Sequence, residues 1–163
     1  MVELALAIPV LLIVVLGIVD FGRAVNYWND ENQLAEQGAR FAAVGSLPAS
    51  DPTCGSQTTV ASYLTCEANI DSPELKNGSG SSFGVHAYPN DTSGGVSVCV
   101  SVPNNAPGQE VTVKVTADYN WLPVPKVLGG SATFTTVPLA GSASMRIEAS
   151  LPSSWITTTA ACT

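Results

Sequence analysis

From Leu4 to Val19 the chain carries no charged residue. The run reads Leu-Ala-Leu-Ala-Ile-Pro-Val-Leu-Leu-Ile-Val-Val-Leu-Gly-Ile-Val. With Val2 and Phe21 at its margins it approaches the roughly 20 residues that cross a bilayer as a helix. Apolar surface of this extent at one end of a chain must be received by a membrane or by the interior of an assembly. A secretory signal peptide would have a basic segment before the run and a small-residue cleavage site after it. Here Glu3 precedes the run and Val19-Asp20-Phe21-Gly22 follows it. A permanent single-pass anchor is the other simple reading, with Pro9 withdrawing the hydrogen bond to the Ala5 carbonyl and kinking or loosening the helix there. Glu3 separates anchor from assembly. A carboxylate carried from the membrane edge into a packed helical interior needs a cation, and the α-amino group of a neighbouring chain is the nearest candidate.

The helix is expected to continue past the run. Trp28, Leu34, Ala35, Phe41 and Ala42 extend a helical stripe through Ala24 to Val44, with Asn29, Asp30, Asn32, Gln33, Glu36 and Gln37 on other faces. Tyr27 and Trp28 fall where aromatic rings sit at a lipid–water boundary, and Gly45-Ser46-Leu47-Pro48 supplies a stop. One helix of about 42 residues would be about 63 Å long. Half of it is greasy all round and half is amphipathic, which describes a stalk with a domain at its end.

Val2-Glu3-Leu4-Ala5-Leu6-Ala7-Ile8-Pro9-Val10-Leu11-Leu12, followed by Gly17 and Asp20-Phe21-Gly22-Arg23, resembles the N-terminal signature of TadE-like proteins, the pilins and minor pilins of the tight-adherence branch of the type IV pilus superfamily. Val111–Tyr119 and Ser142–Glu148 carry a weaker echo. The resemblance implies a precursor cut by a prepilin peptidase, held in the bacterial inner membrane and polymerised by pilus assembly machinery with its helices inside an extracellular filament. It also implies that Glu3 helps recruit and register the incoming subunit. In the family that glutamate is the fifth residue of the mature chain and here it is the third; with no basic leader before it, the resemblance implies a chain already processed.

Beyond Pro48 the composition turns to Ser, Thr, Gly, Val and Pro. Val96, Val98, Val100 and Val102 alternate with polar residues, and so do Val111, Val113, Val115, Ala117 and Tyr119 beyond the turn-rich Pro103–Gln109; this predicts a β-hairpin with one apolar face. A third strand is expected at Gly141–Ala149 with Ala143, Met145 and Ile147 inward, a short helix at Gln57–Ala68 carrying Val60, Tyr63 and Leu64, and loop over Asp71–Thr92. The fold class is α+β: a long N-terminal hydrophobic stalk helix (1–45) followed by a small antiparallel β-sheet domain (46–163) with disulfides, the sheet leaning on the upper half of the helix.

Cys54, Cys66, Cys99 and Cys162 all lie beyond the apolar run, without C-x-x-C spacing, as suits an oxidising compartment. Four cysteines allow three pairings. Cys99 points with Ser97 and Ser101 away from the valines and is free to tie down a tail, which favours Cys54–Cys66 with Cys99–Cys162; free thiols or a mixed pattern stay open.

Six Lys/Arg against 13 Asp/Glu give a net charge of −7, too few cations for a nucleic-acid surface. Gly80-Ser81-Ser82-Phe83-Gly84 fits G-x-S-x-G with His86 close behind, but a hydrolase elbow needs a strand before it, a helix after it and a distant histidine. No catalytic, cofactor or metal site is expected, and His86 reads as a surface residue. Asn77-Gly-Ser79 and Asn90-Asp-Thr92 are glycosylation sequons in the predicted loop, and Thr157-Thr-Thr159 is a candidate for O-linked sugar.

Two functions fit. The first is a structural subunit of a filament on the bacterial cell surface, whose partners are copies of itself, the inner membrane, the prepilin peptidase and the assembly machinery, with Glu3, Pro9, Gly17 and Gly22 in the polymerising helix. Ala5, Ala7 and Ala24 join the two glycines as small residues that permit close helix approach. The second is a membrane-anchored accessory minor pseudopilin or binding module, contacting its target through Asp71–Thr92 and Trp121–Gly130.

Overall fold

The computed structural model describes residues 2–48, 51–71, 84–86, 96–120, 136–158 and 162. Its elements are α1 (Val2–Val44), α2 (Val60–Asp71), β1 (Gly84–His86), β2 (Ser97–Ser101), β3 (Glu110–Asn120) and β4 (Thr136–Arg146), with a 3₁₀ turn at Ser153–Trp155. At 43 residues, α1 is about 65 Å long and runs on through Pro9. It ends as expected at Gly45, where φ is +69° and the amide donates to the Phe41 and Ala42 carbonyls at 2.9 and 3.3 Å. A left-handed residue after the last turn lets the chain reverse, and glycine adopts it without strain.

All strand pairs are antiparallel. β3 is the axis of the sheet: β4 pairs along its whole length on one edge, while β1 and β2 lie end to end along the other. The hairpin register sets Val98 opposite Val115 and Val100 opposite Val113, so the valines of both strands share one face. Val111, Val113, Val115, Ala117 and Tyr119 are all buried on that face, and α1 lies across it. α2 flanks the helix and adds Val60 and Leu64 to the same core; Tyr63, also buried, stands edge-on to Phe41 with ring centroids 5.2 Å apart. Thr59 caps α2, its Oγ1 accepting from the Ser62 amide at 3.1 Å.

The third strand starts five residues earlier than the alternation suggested and ends before Ile147. Pro138 hides that start, since proline inside a run argues against a strand. It is tolerated because β3 takes the hydrogen bonds of the odd-numbered β4 residues: Ile147 exchanges bonds with the backbone of Gly108 and Gln109, and the alternation carries down the register. Pro138 therefore turns its missing donor to the free edge. The expected loop Asp71–Thr92 contains β1, three residues paired to the end of β3, and the expected helix at Gln57–Ala68 runs from Val60 to Asp71. Asn77, Asn90, most of the G-x-S-x-G motif and the Trp121–Gly130 segment lie outside the described residues.

Both favoured disulfides are present, Cys54–Cys66 and Cys99–Cys162, with no free cysteine. The second locks the C-terminal tail along β2. Thr157 and Thr158 donate to the Val100 carbonyl at 2.9 and 3.2 Å, and Val102 donates back to the Thr158 carbonyl at 3.1 Å. The bridges close loops of 12 and 63 residues, so chain entropy assigns about 3 kcal/mol to the first and about 4 to the second. Paired Cys→Ala variants melted in detergent should rank in that order.

Gly141 decides how closely helix and sheet approach. It is buried opposite Val115, and a Cβ there would collide with the Glu31 carbonyl group and the Asn32 amide of α1. Backbone cannot swing aside as a side chain does. Gly141→Ala is expected to destabilise the full chain by about 3 kcal/mol or more in thermal unfolding, while Ser142→Ala, exposed one residue on, should leave it unchanged.

Candidate functional site

The feature with functional content is α1 and the way the domain grips it. Asp20, Ala24, Tyr27, Glu31, Leu34, Gly38 and Ala42 recur every three or four residues and are all buried, forming the line that lies on the sheet. Below Asp20, no residue from Ala7 to Val19 is buried. The grip thus begins where the greasy segment ends.

The expected stripe holds at Leu34, Ala35 and Ala42, with Phe41 half-buried. It fails at Trp28, and the boundary position expected of Tyr27 fails with it. Tyr27 is not a boundary residue: it is buried, its ring centroid 5.3 Å from that of Tyr119. Trp28 stays exposed, its Nε1 donating to the Ala140 carbonyl of β4 at 3.3 Å. One helical position separates the inward face from the outward one.

Two carboxylates stand on the buried line, and neither was among the residues singled out as inward. Asp20 is answered by Tyr119, whose Oη donates to Asp20 Oδ1 at 2.6 Å and to the Asp20 carbonyl at 3.1 Å. Burial and the Asp20 carboxylate push the Tyr119 hydroxyl well above its ordinary range, so it remains a donor at any physiological pH. This pair clamps the helix at the point where it leaves the domain. Glu31, one further acid along the same line, is wholly buried, and among the described residues neither of its carboxyl oxygens has a hydrogen-bond partner. Burial pushes its pKa from 4.5 to about 8; the Ala117 amide of β3 opposes the shift without completing a hydrogen bond, and neighbouring Asp30 adds to it. The spacing alone places Glu31 inward, and a charged side chain at a position where the stripe calls for an apolar one is the signal that finds it.

The residues expected in the polymerising helix fall on α1. Pro9, Gly17 and Gly22 lie on its exposed stretch, and a Cβ at either glycine would meet nothing within 4 Å. Glu3 lies in the first turn. The structure brings these residues together only as one helix, at separate levels along it. The four cysteines lie in the domain, and His86 is in β1.

One acidic group lies outside the helix. Tyr63 Oη contacts both Asp51 Oδ2 and Glu67 Oε1 at 2.9 Å, and the Thr53 and Cys54 amides, foremost among the causes, hold the Asp51 carboxyl below its usual range. Cys54 Sγ adjoins the two carboxylates, but it is spent in a disulfide and supplies no thiolate. The group tethers the Cys54–Cys66 loop to α2.

Glu31 gives the domain a pH signature. Its folded pKa lies above its unfolded one, so the folded state holds the proton more tightly. The associated stability is fully present below about pH 4.5 and is lost as the pH rises through about 8. Among the described residues no cation faces Glu31 to offset this: Lys114 and Asp118 stand on the opposite face of β3, and the inward side chains described on β4 are not titratable. Melting temperature should therefore fall between pH 5 and pH 8.5 in the parent chain, at about 1.4 kcal/mol per pKa unit in the limit. Glu31→Gln, neutral throughout, should flatten the profile and melt higher at pH 8.5.

α1 is long and apolar enough to cross a membrane. Comparison with curated proteins and with solved structures returns no match. Residues 1–40, the segment that spans the bare helix and most of its seat in the domain, match the family model described as TadE-like protein, and this match associates the chain with the tight-adherence pilus system.

Proposed function

We propose that this chain is a structural, non-catalytic subunit of an extracellular tight-adherence pilus, held in the inner membrane before assembly and polymerising through α1. One observation carries the reading: within the TadE-like segment, the helix leaves its own domain bare from Ala7 to Val19 and is gripped from Asp20 onward. Residues 2–19 measure about 27 Å along the axis, close to the roughly 30 Å of a hydrocarbon core. A helix of that length waits in lipid without strain. In a filament the same surface meets other helices, where close packing supplies the attraction that water exclusion cannot supply in a bilayer. Gly17 and Gly22, with open space where a side chain would be, suit that packing. The prepilin peptidase and the pilus assembly machinery are the partners that maturation and extraction require. In this reading Glu3 meets the α-amino group of the next chain.

Electron microscopy of material sheared from the cell surface, with N-terminal mass spectrometry of its dominant protein, tests the role. Thin filaments made mainly of this chain are expected; recovery in the membrane fraction alone would favour the anchored accessory protein. Glu3→Ala should abolish incorporation and leave inserted monomer, and normal filaments from that variant would rule out Glu3 as the register residue.

A further inference from the structure

The seat of α1 changes width at Glu31. Above it the buried residues come in adjacent pairs, Leu34–Ala35, Gly38–Ala39 and Ala42–Ala43; below it they come singly, as Tyr27, Ala24 and Asp20. The pairs are held by more than the sheet. Leu64 of α2 meets Gly38, the Phe41 ring stands edge-on to Tyr63, and the Glu148 amide donates to the Ala43 carbonyl at 2.8 Å. The single file rests on β3 and β4, fastened by the Tyr119 bond to Asp20 and the Trp28 bond to Ala140. A stripe two residues wide removes more surface from water per turn than a stripe one residue wide, so the upper seat is the stronger.

Glu31 stands at that boundary, wholly buried, with no hydrogen-bond partner for either carboxyl oxygen among the described residues. Its own backbone lies against Gly141, where no side chain separates helix from strand. Water therefore reaches the carboxyl only if the helix lifts from the sheet at this level. An ionised carboxylate in such a place needs a cation, a donor or water. On α1 its titratable neighbours are Tyr27 and Asp30, and Asp30 opposes ionisation. On the inward face of β3 the titratable group is Tyr119, engaged with Asp20. Those of α2, Tyr63 and Glu67, are turned to the Asp51 cluster, and β2 and β4 bring no titratable side chain inward among the described residues. Water is the relief that is left, and the narrow seat is the part that can yield to admit it.

We infer that Glu31 is a proton-operated latch: when it ionises, α1 lifts from β3 and β4 between Asp20 and Glu31 while the seat from Leu34 upward stays closed. Residues 20–30 then join the bare helix and lengthen it by about 16 Å. Opening grows as the pH rises above about 4.5 and levels off above about 8. The device belongs to the single chain and operates whether or not α1 enters filaments.

Because the native cysteines are paired, single introduced cysteines report opening level by level. Ala24→Cys below the latch, Ala39→Cys above it and the exposed Asn26→Cys would be labelled with a maleimide in the full chain in detergent. Dividing each rate by that of Asn26→Cys at the same pH removes the titration of the thiol itself. Between pH 5.5 and pH 8 the ratio is expected to rise about tenfold or more at position 24 and to stay flat at position 39. Adding Glu31→Gln should flatten both. The readout is the slope with pH, so a substitution that loosens the seat at every pH remains informative. A rise at both levels would mean unfolding of the whole domain and would overturn the latch, as would a flat ratio at position 24 or a rise that survives Glu31→Gln. A second measurement uses the native tyrosines. Nitration of Tyr119 by tetranitromethane at pH 8, mapped by mass spectrometry, should run several-fold faster in the parent chain than in Glu31→Gln, with Tyr63 alike in both. Equal nitration of Tyr119 in the two chains would overturn the inference.

Discussion

The contact between Gly141 and the backbone of α1 at Glu31 and Asn32 sets the geometry on which the rest depends. It brings a helix and a strand together at backbone distance, closer than any pair of side chains permits. From that point the helix runs along β3 and β4 in both directions. Upward, Gly38 is met by Leu64 of α2 and, at 3.1 Å from an ideal Cβ, by Val113 Cγ1, so the same closeness recurs where the second helix joins the core. Downward, the line ends at Asp20, where Tyr119 closes the seat. A helix held this closely cannot roll on the sheet, and its outward face is therefore defined as firmly as its inward one.

The two buried acids of that line are handled differently. Asp20, at the rim, has a short bond from a phenol kept protonated by its surroundings. Glu31, in the middle, has no hydrogen-bond partner for either oxygen among the described residues, and burial raises its pKa to about 8. Burying an ion there would be far more costly than burying a carboxylic acid, and the shifted pKa expresses that preference. The seat is consequently fastened at its lower end and proton-sensitive at its centre.

Much of this architecture was legible in the chain. The charge-free run, the Gly45 stop, the valine alternation and the outward direction of Cys99 are local patterns, and each corresponds to an observed element or bridge. What escaped was set by tertiary partners. Tyr27 and Trp28 are adjacent and chemically alike, and only the position of the sheet decides that the first is core and the second surface. The start of β4 is hidden because Pro138 reads as a breaker until the free edge beside it is known. Glu31 gives no sign of burial by residue type, although its spacing from Tyr27 and Leu34 places it inward.

A chain that polymerises as proposed must also avoid joining by the wrong surface. An open strand edge is such a surface, since its unpaired amides and carbonyls accept any extended segment. The free side of β2 is occupied by Thr157 and Thr158, and Cys99–Cys162 keeps that tail in place. On the free side of β4, Pro138 offers no donor, Trp28 takes the Ala140 carbonyl, and just past the strand's upper end the Glu148 amide is spent on the Ala43 carbonyl of α1. Each device weakens pairing through the described strand edges. The indole that takes the Ala140 carbonyl is otherwise exposed, so a side chain of the helix guards the edge of the sheet on which the helix lies.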